Sequence, residues 1–177
     1  MGRSGTLFAY QQENIEPDII ALAKGLGGGF PVGAVMAKAK VGDAMIPGTH
    51  GSTFGGNPLA MRSANAVLDL LLENDFLLSL RENIIYFENK MDTLVNDDDK
   101  VSPVILCKKG SGMLRGFQLT ENIAAGDFGN ISREKGLLLV GAAENTIRLL
   151  PPLNTSKEEI DQAFEILSEV VKEIKKN

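Results

Sequence analysis

Two stretches of the chain show the spacing of apolar residues that is typical of amphipathic helices. Apolar residues recur at steps of three and four over 156–175, which places them on one helical face. Ser156 and Glu159 form a capping box at the start of this helix. A second helix is predicted to begin at Pro58, because Asn57 suits an N-cap and proline suits the first helical position.

The second helix also carries small residues that would allow another element to pack closely against it. They are Ala60, Ser63, Ala64 and Ala66. The predicted helices cover 57–73, 75–95, 127–135 and 156–175, with a shorter one at 41–45 and a helical turn near 7–10. Gly136 is expected to end the third helix as a C-cap.

Short apolar runs predict strands between these helices. The run 19–23 is apolar throughout instead of alternating, which is typical of a buried strand, and the run 33–37 is a second short apolar strand. Further strands are predicted at 101–106, 113–119, 137–140 and 146–150. The alternation of strands and helices indicates an α/β fold.

The pattern changes character along the chain and predicts two domains. Residues 1–72 carry glycine-rich loops between short apolar strands, whereas residues 73–177 form a compact α/β unit. The polar run 96–100 is expected to be a solvated turn without function.

Composition excludes several classes of function. A net charge of −5 over 177 residues predicts no broad basic surface for nucleic acid. Cys107 is the single cysteine and His50 the single histidine, which argues against an internal disulfide or a His/Cys metal site. No apolar run reaches the ~18 residues of a membrane span, and no signal peptide is evident, so a cytoplasmic protein is expected.

Two glycine-rich stretches are candidates for chemistry. Lys24 stands between an apolar run and the glycines of 25–29. It is either a surface lysine at a strand end or an amine positioned to bond covalently to a carbonyl cofactor. Ser52 and Thr53 precede a helix N-terminus and suit a phosphate, although such residues ordinarily serve as caps. An amine and phosphate donors together match the two ends of pyridoxal phosphate.

Other catalytic sets are absent from the sequence. There is no Gly-x-Ser-x-Gly elbow and no P-loop motif, and the glycines of 25–29 lack the final glycine of a dinucleotide fingerprint. His50 and Ser52 are neighbours in one loop and have no evident orienting carboxylate, so they do not form a triad.

The sequence closely resembles the class III (subgroup II) pyridoxal-phosphate aminotransferases. The resemblance rests on Gly2–Gly5 (Gly-Arg-Ser-Gly), on 17–34, on 48–59 and on the late segment 147–153. It covers essentially the whole chain, and the nearest branch resembles acetylornithine and ornithine aminotransferases. The implied fold is the C-terminal half of a fold-type I transferase: part of the large-domain sheet plus the small C-terminal α/β domain.

The resemblance also implies roles for individual residues. Lys24 matches the Schiff-base lysine that later moves the substrate proton. Thr53 matches a hydroxyl that binds the cofactor phosphate of the neighbouring subunit in a homodimer, and Ser52 matches a position near that phosphate and the substrate. Arg148 matches an arginine for the substrate carboxylate, or else is a strand-edge arginine in a structural ion pair. Lys109 stands where the family commonly has arginine.

The largest departure from the family is length. The family's chain is roughly twice as long, and its N-terminal part supplies a phosphate loop, a ring-stacking aromatic residue, a substrate arginine and the aspartate that pairs with the pyridine nitrogen. None of these has a counterpart here, so the chain is expected to be the C-terminal portion and inactive alone.

Three functions stay open at this stage. The first is transamination of N-acetylornithine or ornithine with 2-oxoglutarate, in arginine biosynthesis. The second is a non-catalytic fragment that pairs with a partner half or dimerises through its glycine loops. The third is another reaction of the same family, such as 4-aminobutyrate transamination or a mutase.

Overall fold

The computed structural model describes residues 1–73, 75–98, 101 and 103–176, and the chain forms two compact units. Unit 1 comprises Met1–Gly2 and Thr6–Leu77, and unit 2 comprises Arg3–Gly5 and Leu78–Asn177. Helices and antiparallel sheets make up the described residues, which confirms the α/β class. The assignment of 1–72 and 73–177 to separate domains stays a prediction.

Unit 1 is built around a two-stranded ribbon and one long helix. Its elements are β1 (Ile19–Leu22), β2 (Ala34–Ala37), α1 (Ala39–Gly42) and α2 (Pro58–Leu72), with single 3₁₀ turns at Ala9–Gln12 and Lys24–Gly27. β1 and β2 pair antiparallel, with Ile19 opposite Ala37 and Leu22 opposite Ala34. Among the described residues neither strand pairs with any other.

The prediction that β1 is a buried strand is wrong for this structure. In an antiparallel pair, opposed residues share a face, so Ile19, Ala21, Val35 and Ala37 lie together. We name these four residues the ribbon face. All four are exposed, with Ile19 at 57% and Val35 at 70%, because nothing among the described residues covers them.

Helix α2 begins as predicted. The Asn57 side chain accepts a hydrogen bond from the Ala60 backbone N–H at 2.9 Å, and Pro58 occupies the first position. Ala60 and Ala64 are buried, as the small-residue pattern indicated.

Unit 2 contains a four-stranded antiparallel sheet with helices. Its elements are α3 (Phe76–Asp97, which begins at the last two residues of unit 1), β3 (Ile105–Ser111), β4 (Leu114–Leu119), α4 (Ala125–Glu134), β5 (Val140–Ala142), β6 (Thr146–Leu149) and α5 (Lys157–Ile174). The strand order is β3-β4-β6-β5. Within the described residues, no helix has the length and hydrophobicity that crossing a membrane requires.

The core of unit 2 is made by large side chains from the sheet and its helices. Phe117 from β4, Ile147 from β6, Phe128 from α4 and Leu167 from α5 are all 0% exposed. The capping box of α5 is confirmed, since the Ser156 and Glu159 side chains each accept the other's backbone N–H.

Two predicted strands begin too early. The strand predicted at 101–106 starts at Ile105 and continues to Ser111, and residue 102 lies outside the described residues. The strand predicted at 137–140 starts at Val140, because the Leu137 N–H donates to the Ser132 carbonyl of α4 at 2.9 Å. This bond belongs to the end of α4, where Gly136 at φ +90° acts as predicted.

The described part of the polar run, 96–98, is not a solvated turn, because α3 extends to Asp97 and Asp98 is buried. One Asp98 carboxylate oxygen accepts the N–H groups of Val104 and Ile105 at 2.8 Å each. The other oxygen lies 2.5 Å from Lys175 Nζ. Asp98 therefore joins α3, the start of β3 and the end of α5, while residues 99 and 100 lie outside the described residues.

Candidate active site

Lys24 is separated from the end of β1 by Ala23 and has a strained backbone. Its φ is 53°, in the left-handed region that costs a residue other than glycine about 1–2 kcal/mol. Strain of this kind concentrates at functional sites, where the surrounding structure holds the residue in place. Asn14, Glu144 and Asn145 share this conformation, so the backbone of Lys24 supports the sequence motif without identifying a site by itself.

Helix α2 and the buried Leu26 hold the turn that Lys24 begins. Leu26 is only 4% exposed, and the Ser63 hydroxyl of α2 donates to the Gly27 carbonyl at 2.7 Å. A Cβ added at Gly28, whose φ is +59°, would lie 2.9 Å from Val67 Cγ2. Only glycine therefore fits this close approach of the turn to the helix.

The turn borders an open depression of about 570 Å³. It is lined by Lys24, Gly25, Gly28, Gly29, Phe30, Pro31 and Val32. Among the described residues, no carboxylate lines this depression and no ion pair involves Lys24. Lys24 is exposed, and bare glycine backbone beside it leaves room for a flat ring.

The Ser52–Thr53 loop lies in the same unit and is also exposed. The Gly55 N–H donates to Ser52 Oγ at 2.9 Å, and Asn57 Nδ2 donates to the Phe54 carbonyl at 2.8 Å, so the loop is locally ordered. Phe54 beside Thr53 is 80% exposed, which is unusual for an aromatic side chain.

No hydrogen bond within the described part of the chain joins Lys24 to Ser52 or Thr53. Within the described residues, the predicted amine and the predicted phosphate donors therefore lie in one unit without a hydrogen bond between them. This arrangement is compatible with hydroxyls that serve a different copy of the site.

Arg148 lies in unit 2, on the inner strand β6 between β4 and β5. It is opposite Gly116 of β4 and Val140 of β5. Its neighbours Ile147 and Leu149 are buried, whereas Arg148 is exposed on the other face of the sheet. The alternative of a strand-edge arginine in an ion pair is therefore wrong on position, and no salt bridge holds Arg148 among the described residues.

Lys109 lies on β3 and pairs with Glu144. The hydrogen bond and positive charge of the lysine hold the pKa of the Glu144 carboxyl below its ordinary value. Both side chains are partly or largely exposed, so this is a surface pair. The amine contacts a single carboxylate oxygen, where an arginine could bind two.

Arg3 is a structural residue that the sequence did not reveal. Its guanidinium donates to the carbonyls of Pro151 and Met113, and its own carbonyl accepts the Met113 N–H at 2.8 Å. Burial lowers the pKa of Arg3. Arg3 of the first family motif and Pro151 of the late segment 147–153 therefore meet in unit 2. No local sequence pattern marks this contact. The only signal in the sequence is that both segments are motifs of the same family.

Comparison with known proteins identifies the family to which this chain belongs. The family Aminotransferase class-III matches residues 1–171. The chain therefore belongs to the class-III aminotransferases, and the resemblance seen in the motifs is confirmed.

Several similar relatives are acetylornithine aminotransferases. The acetylornithine aminotransferase of Streptococcus mutans is 45% identical over 170 residues, covering 96% of this chain and 43% of the relative. That of Oceanobacillus iheyensis is 41% identical over 174 residues, covering 98% of this chain and 42% of the relative. The chain spans less than half the length of these relatives.

Solved structures confirm the fold. The ornithine delta-aminotransferase of Plasmodium falciparum superimposes with a TM-score of 0.90 at 30% identity, covering 99% of this chain and 44% of that one. The acetylornithine aminotransferase of Elizabethkingia anophelis gives 0.87 at 33% identity, covering 97% and 43%. The chain has the fold of about the C-terminal half of these enzymes.

Proposed function

We propose that this chain supplies the covalent lysine of a pyridoxal-phosphate-dependent aminotransferase. The observation that carries the proposal is Lys24: an exposed amine in a left-handed turn that is anchored to α2 by Ser63. A lysine with a free amine and a fixed backbone suits covalent bonding to the carbonyl carbon of a cofactor. Family membership makes pyridoxal phosphate the expected cofactor.

N-acetylornithine is the favoured amino donor, with 2-oxoglutarate as acceptor, and ornithine is the second choice. The preference rests on the sequence relatives, because the acetylornithine aminotransferases of Streptococcus mutans and Oceanobacillus iheyensis are 45% and 41% identical to this chain. The reaction would belong to arginine biosynthesis. We also propose a cytoplasmic location. The chain has a single cysteine, which is typical of proteins in a reducing compartment.

The described residues fit one end of the cofactor. Lys24 offers the amine and the adjoining glycines offer open backbone, but no carboxylate stands ready among the lining residues for the pyridine nitrogen. When bound, pyridoxal phosphate supplies an electron-withdrawing ring that stabilises a carbanion at the substrate α-carbon. Lys24 Nζ would hold this group covalently and, as a free amine, would accept the proton of the substrate α-carbon as a general base and give it up again as a general acid.

Thr53 is proposed to donate to a phosphate held by the neighbouring subunit of a homodimer, with Ser52 close to that phosphate and the substrate. The support is local. Both residues lie on an exposed loop before α2, and the flanking Phe54 and Leu59 are 80% and 65% exposed. Exposed apolar side chains of this size are typical of a surface that another subunit covers.

Arg148 is proposed to bind a substrate carboxylate. Its guanidinium is exposed, and no ion pair within the described residues competes for it. A planar guanidinium can hold a carboxylate through two parallel hydrogen bonds, which orients the substrate as well as binding it.

Borohydride reduction tests the role of Lys24 directly. The chain is incubated with pyridoxal phosphate, reduced and mapped by peptide mass spectrometry. We expect a stable adduct on Lys24 and none in Lys24→Ala. The matched control Lys40→Ala, which removes another exposed lysine of unit 1, should keep the adduct. The absence of any adduct in the unaltered chain would favour the non-catalytic fragment instead.

Turnover is a separate test, because the chain alone is expected to be inactive. The chain is combined with the N-terminal part of the Streptococcus mutans relative, and glutamate formed from N-acetylornithine and 2-oxoglutarate is measured. Lys24→Ala should lower the rate at least ~10²-fold, as loss of an acid–base group does. Unchanged turnover in that variant would contradict the assignment of Lys24.

A further inference from the structure

Strand β6, which carries Arg148, runs into two prolines that stop its pairing with β4. The last paired residue of β6 is Leu149, which lies opposite Arg115, and Pro151 and Pro152 follow shortly after it. Proline has no backbone N–H to donate to a neighbouring strand. The end of β6 therefore needs partners that strand pairing does not supply.

Arg3 supplies a partner at this end of the sheet. Its Nη1 donates to the Pro151 carbonyl, and the same nitrogen lies 3.4 Å from the Met113 carbonyl oxygen. The Met113 N–H in turn donates to the Arg3 carbonyl at 2.8 Å. Met113 lies two residues before the last paired residue of β4, and Pro151 lies two residues after that of β6. The ladder, if continued, would place these two opposite each other, and Arg3 joins them instead.

A glycine allows the segment that carries Arg3 to lie this close to the sheet. A Cβ added at Gly112, whose φ is +58°, would overlap the Arg3 carbonyl oxygen and lie 2.7 Å from Ser4 Cα. These are backbone atoms that cannot move aside as a flexible side chain can, so only glycine fits here. Arg81 of α3 also donates to the Gly5 carbonyl at 3.2 Å. Both the hairpin and α3 therefore hold this segment in unit 2.

The partners of the Arg3 guanidinium indicate that it acts as a brace between strands. Among the described residues it contacts carbonyl oxygens and no carboxylate. The side chain is half-buried, and burial lowers the pKa of Arg3. Burying a cation without a counter-ion is unfavourable unless its donors are satisfied. The two N–H groups of Nη1 satisfy this requirement by bridging two carbonyls.

Arg148 lies within the braced end of the sheet, directly before Leu149. Strand ends open more readily than the centre of a sheet. A misplacement of about 1 Å at a group that orients a substrate can lower a rate ~100-fold. The position of the Arg148 guanidinium therefore depends on how firmly the end of β6 is held.

We propose that Arg3 is a positioning residue for Arg148. By joining the carbonyls of Met113 and Pro151, it fixes the end of β6 from which Arg148 binds a substrate carboxylate. This inference rests on the proposed function of Arg148 and deepens it. In this role Arg3 contacts neither substrate nor cofactor and acts only through the backbone of the sheet.

NMR of the full 177-residue chain with isotope-labelled arginines tests the positioning. Arg3→Met approximately keeps the length of the side chain and removes the guanidinium. We expect the Arg148 Nε–Hε signal to shift and the amides of 149–150 to exchange at least ~10-fold faster, because the end of β6 has lost a partner. The amide of Ile147, farther from that end, should keep its protection.

Two further variants separate the brace from general packing. Arg81→Met is the matched control, because it removes a guanidinium bond to the same segment, at the Gly5 carbonyl, without touching β6. It should leave the Arg148 signal and the 149–150 amides unchanged. Arg3→Lys keeps the charge on a shorter side chain without the planar fork, so we expect an intermediate shift of the Arg148 signal.

Turnover gives a readout that a purely structural role would not move. The chain is combined with the N-terminal part of the Streptococcus mutans relative, and N-acetylornithine is the varied substrate. Arg3→Lys should raise KM roughly tenfold and leave kcat nearly unchanged, because a misplaced Arg148 weakens the binding of substrate and transition state alike. A lower kcat at unchanged KM would contradict the proposal.

The other outcomes separate this inference from the proposed function. An unmoved Arg148 signal in Arg3→Met, or equal effects of Arg3→Met and Arg81→Met, would overturn the positioning. Loss of protection throughout the sheet in both Arg3 variants, Ile147 included, would show that Arg3 only stabilises the fold and would overturn it as well. A moved Arg148 signal together with an unchanged KM in Arg148→Ala would contradict only the proposed function of Arg148.

Discussion

The two units differ in how completely they bury their own apolar residues. The largest fully buried side chains of the described residues, Phe117 and Phe128 among them, all belong to unit 2. Unit 1 buries few apolar side chains, among them Ala60, Ala64 and Leu26, and its Val35 is exposed. The unit that carries Lys24 and Thr53 is therefore the one without a large core of its own.

The two units also carry different candidate site residues. Unit 2 can be stabilised by its own sheet and helices, and it presents Arg148 on an exposed face. Unit 1 presents Lys24, Ser52 and Thr53 on loops and turns, and the apolar face of its β1–β2 ribbon is exposed.

The largest expected difference between the units is the cost of removing an apolar side chain. Phe117→Ala should lower the free energy of unfolding by about 3–5 kcal/mol, because Phe117 is 0% exposed and its loss leaves a cavity. Val35→Ala should change it by less than about 0.5 kcal/mol. Urea unfolding of both variants measures this contrast, and equal costs would contradict it.

A buried carboxylate tests the stability of unit 2 in a different way. Asp98→Ala would leave the N–H groups of Val104 and Ile105 and the amine of Lys175 without their partner. We expect a loss of about 3 kcal/mol in urea unfolding, since each abandoned buried group costs about 1–3 kcal/mol. Asp97→Ala, one residue earlier and exposed, is the matched control and should be nearly neutral.

The sequence predicted the fold class and the helices well, because their signals are local. Asn57 and Pro58 start α2, and Ser156 with Glu159 starts α5, through contacts within four residues. The prediction failed at Asp98, whose partners include Lys175 far along the chain, and no local pattern marks such a contact.

The candidate site was predictable only in part. The motif around Lys24 identified the amine, but the anchor from Ser63 to Gly27 spans 36 residues and needed the structure. The burial of β1 was predicted from a composition that suits a complete sheet. The prediction and the structure differ because an apolar composition indicates a strand that is suited to being covered on both faces. The described residues leave one face of β1 exposed.

A smaller effect is expected at the anchor of the Lys24 turn. Ser63→Ala removes the hydrogen bond to the Gly27 carbonyl and should cost about 1 kcal/mol, with faster amide exchange confined to 24–28. Asn65→Ala, an exposed change on the same helix, should not alter that exchange. Unchanged exchange in Ser63→Ala would show that α2 does not hold the turn.

The smallest effect is expected at the surface pair of Lys109 and Glu144. The lysine lowers the pKa of Glu144, so the pair stabilises the fold above the ordinary glutamate pKa of ~4.3 and loses this contribution as pH falls through the lowered value. Lys109→Ala should raise the Glu144 pKa in an NMR titration and barely alter stability at neutral pH. A Glu144 pKa that does not move would rule out the pairing.

Hydrogen exchange compares the two units most directly. In the chain alone, amides of β4 and β6 around Phe117 and Ile147 should be strongly protected, and those of β1 and β2 should exchange close to the unprotected rate. Adding the N-terminal part of the Streptococcus mutans relative should slow β1 and β2 at least ~10-fold and leave β4 and β6 unchanged. Equal protection of both units in the chain alone would contradict the account.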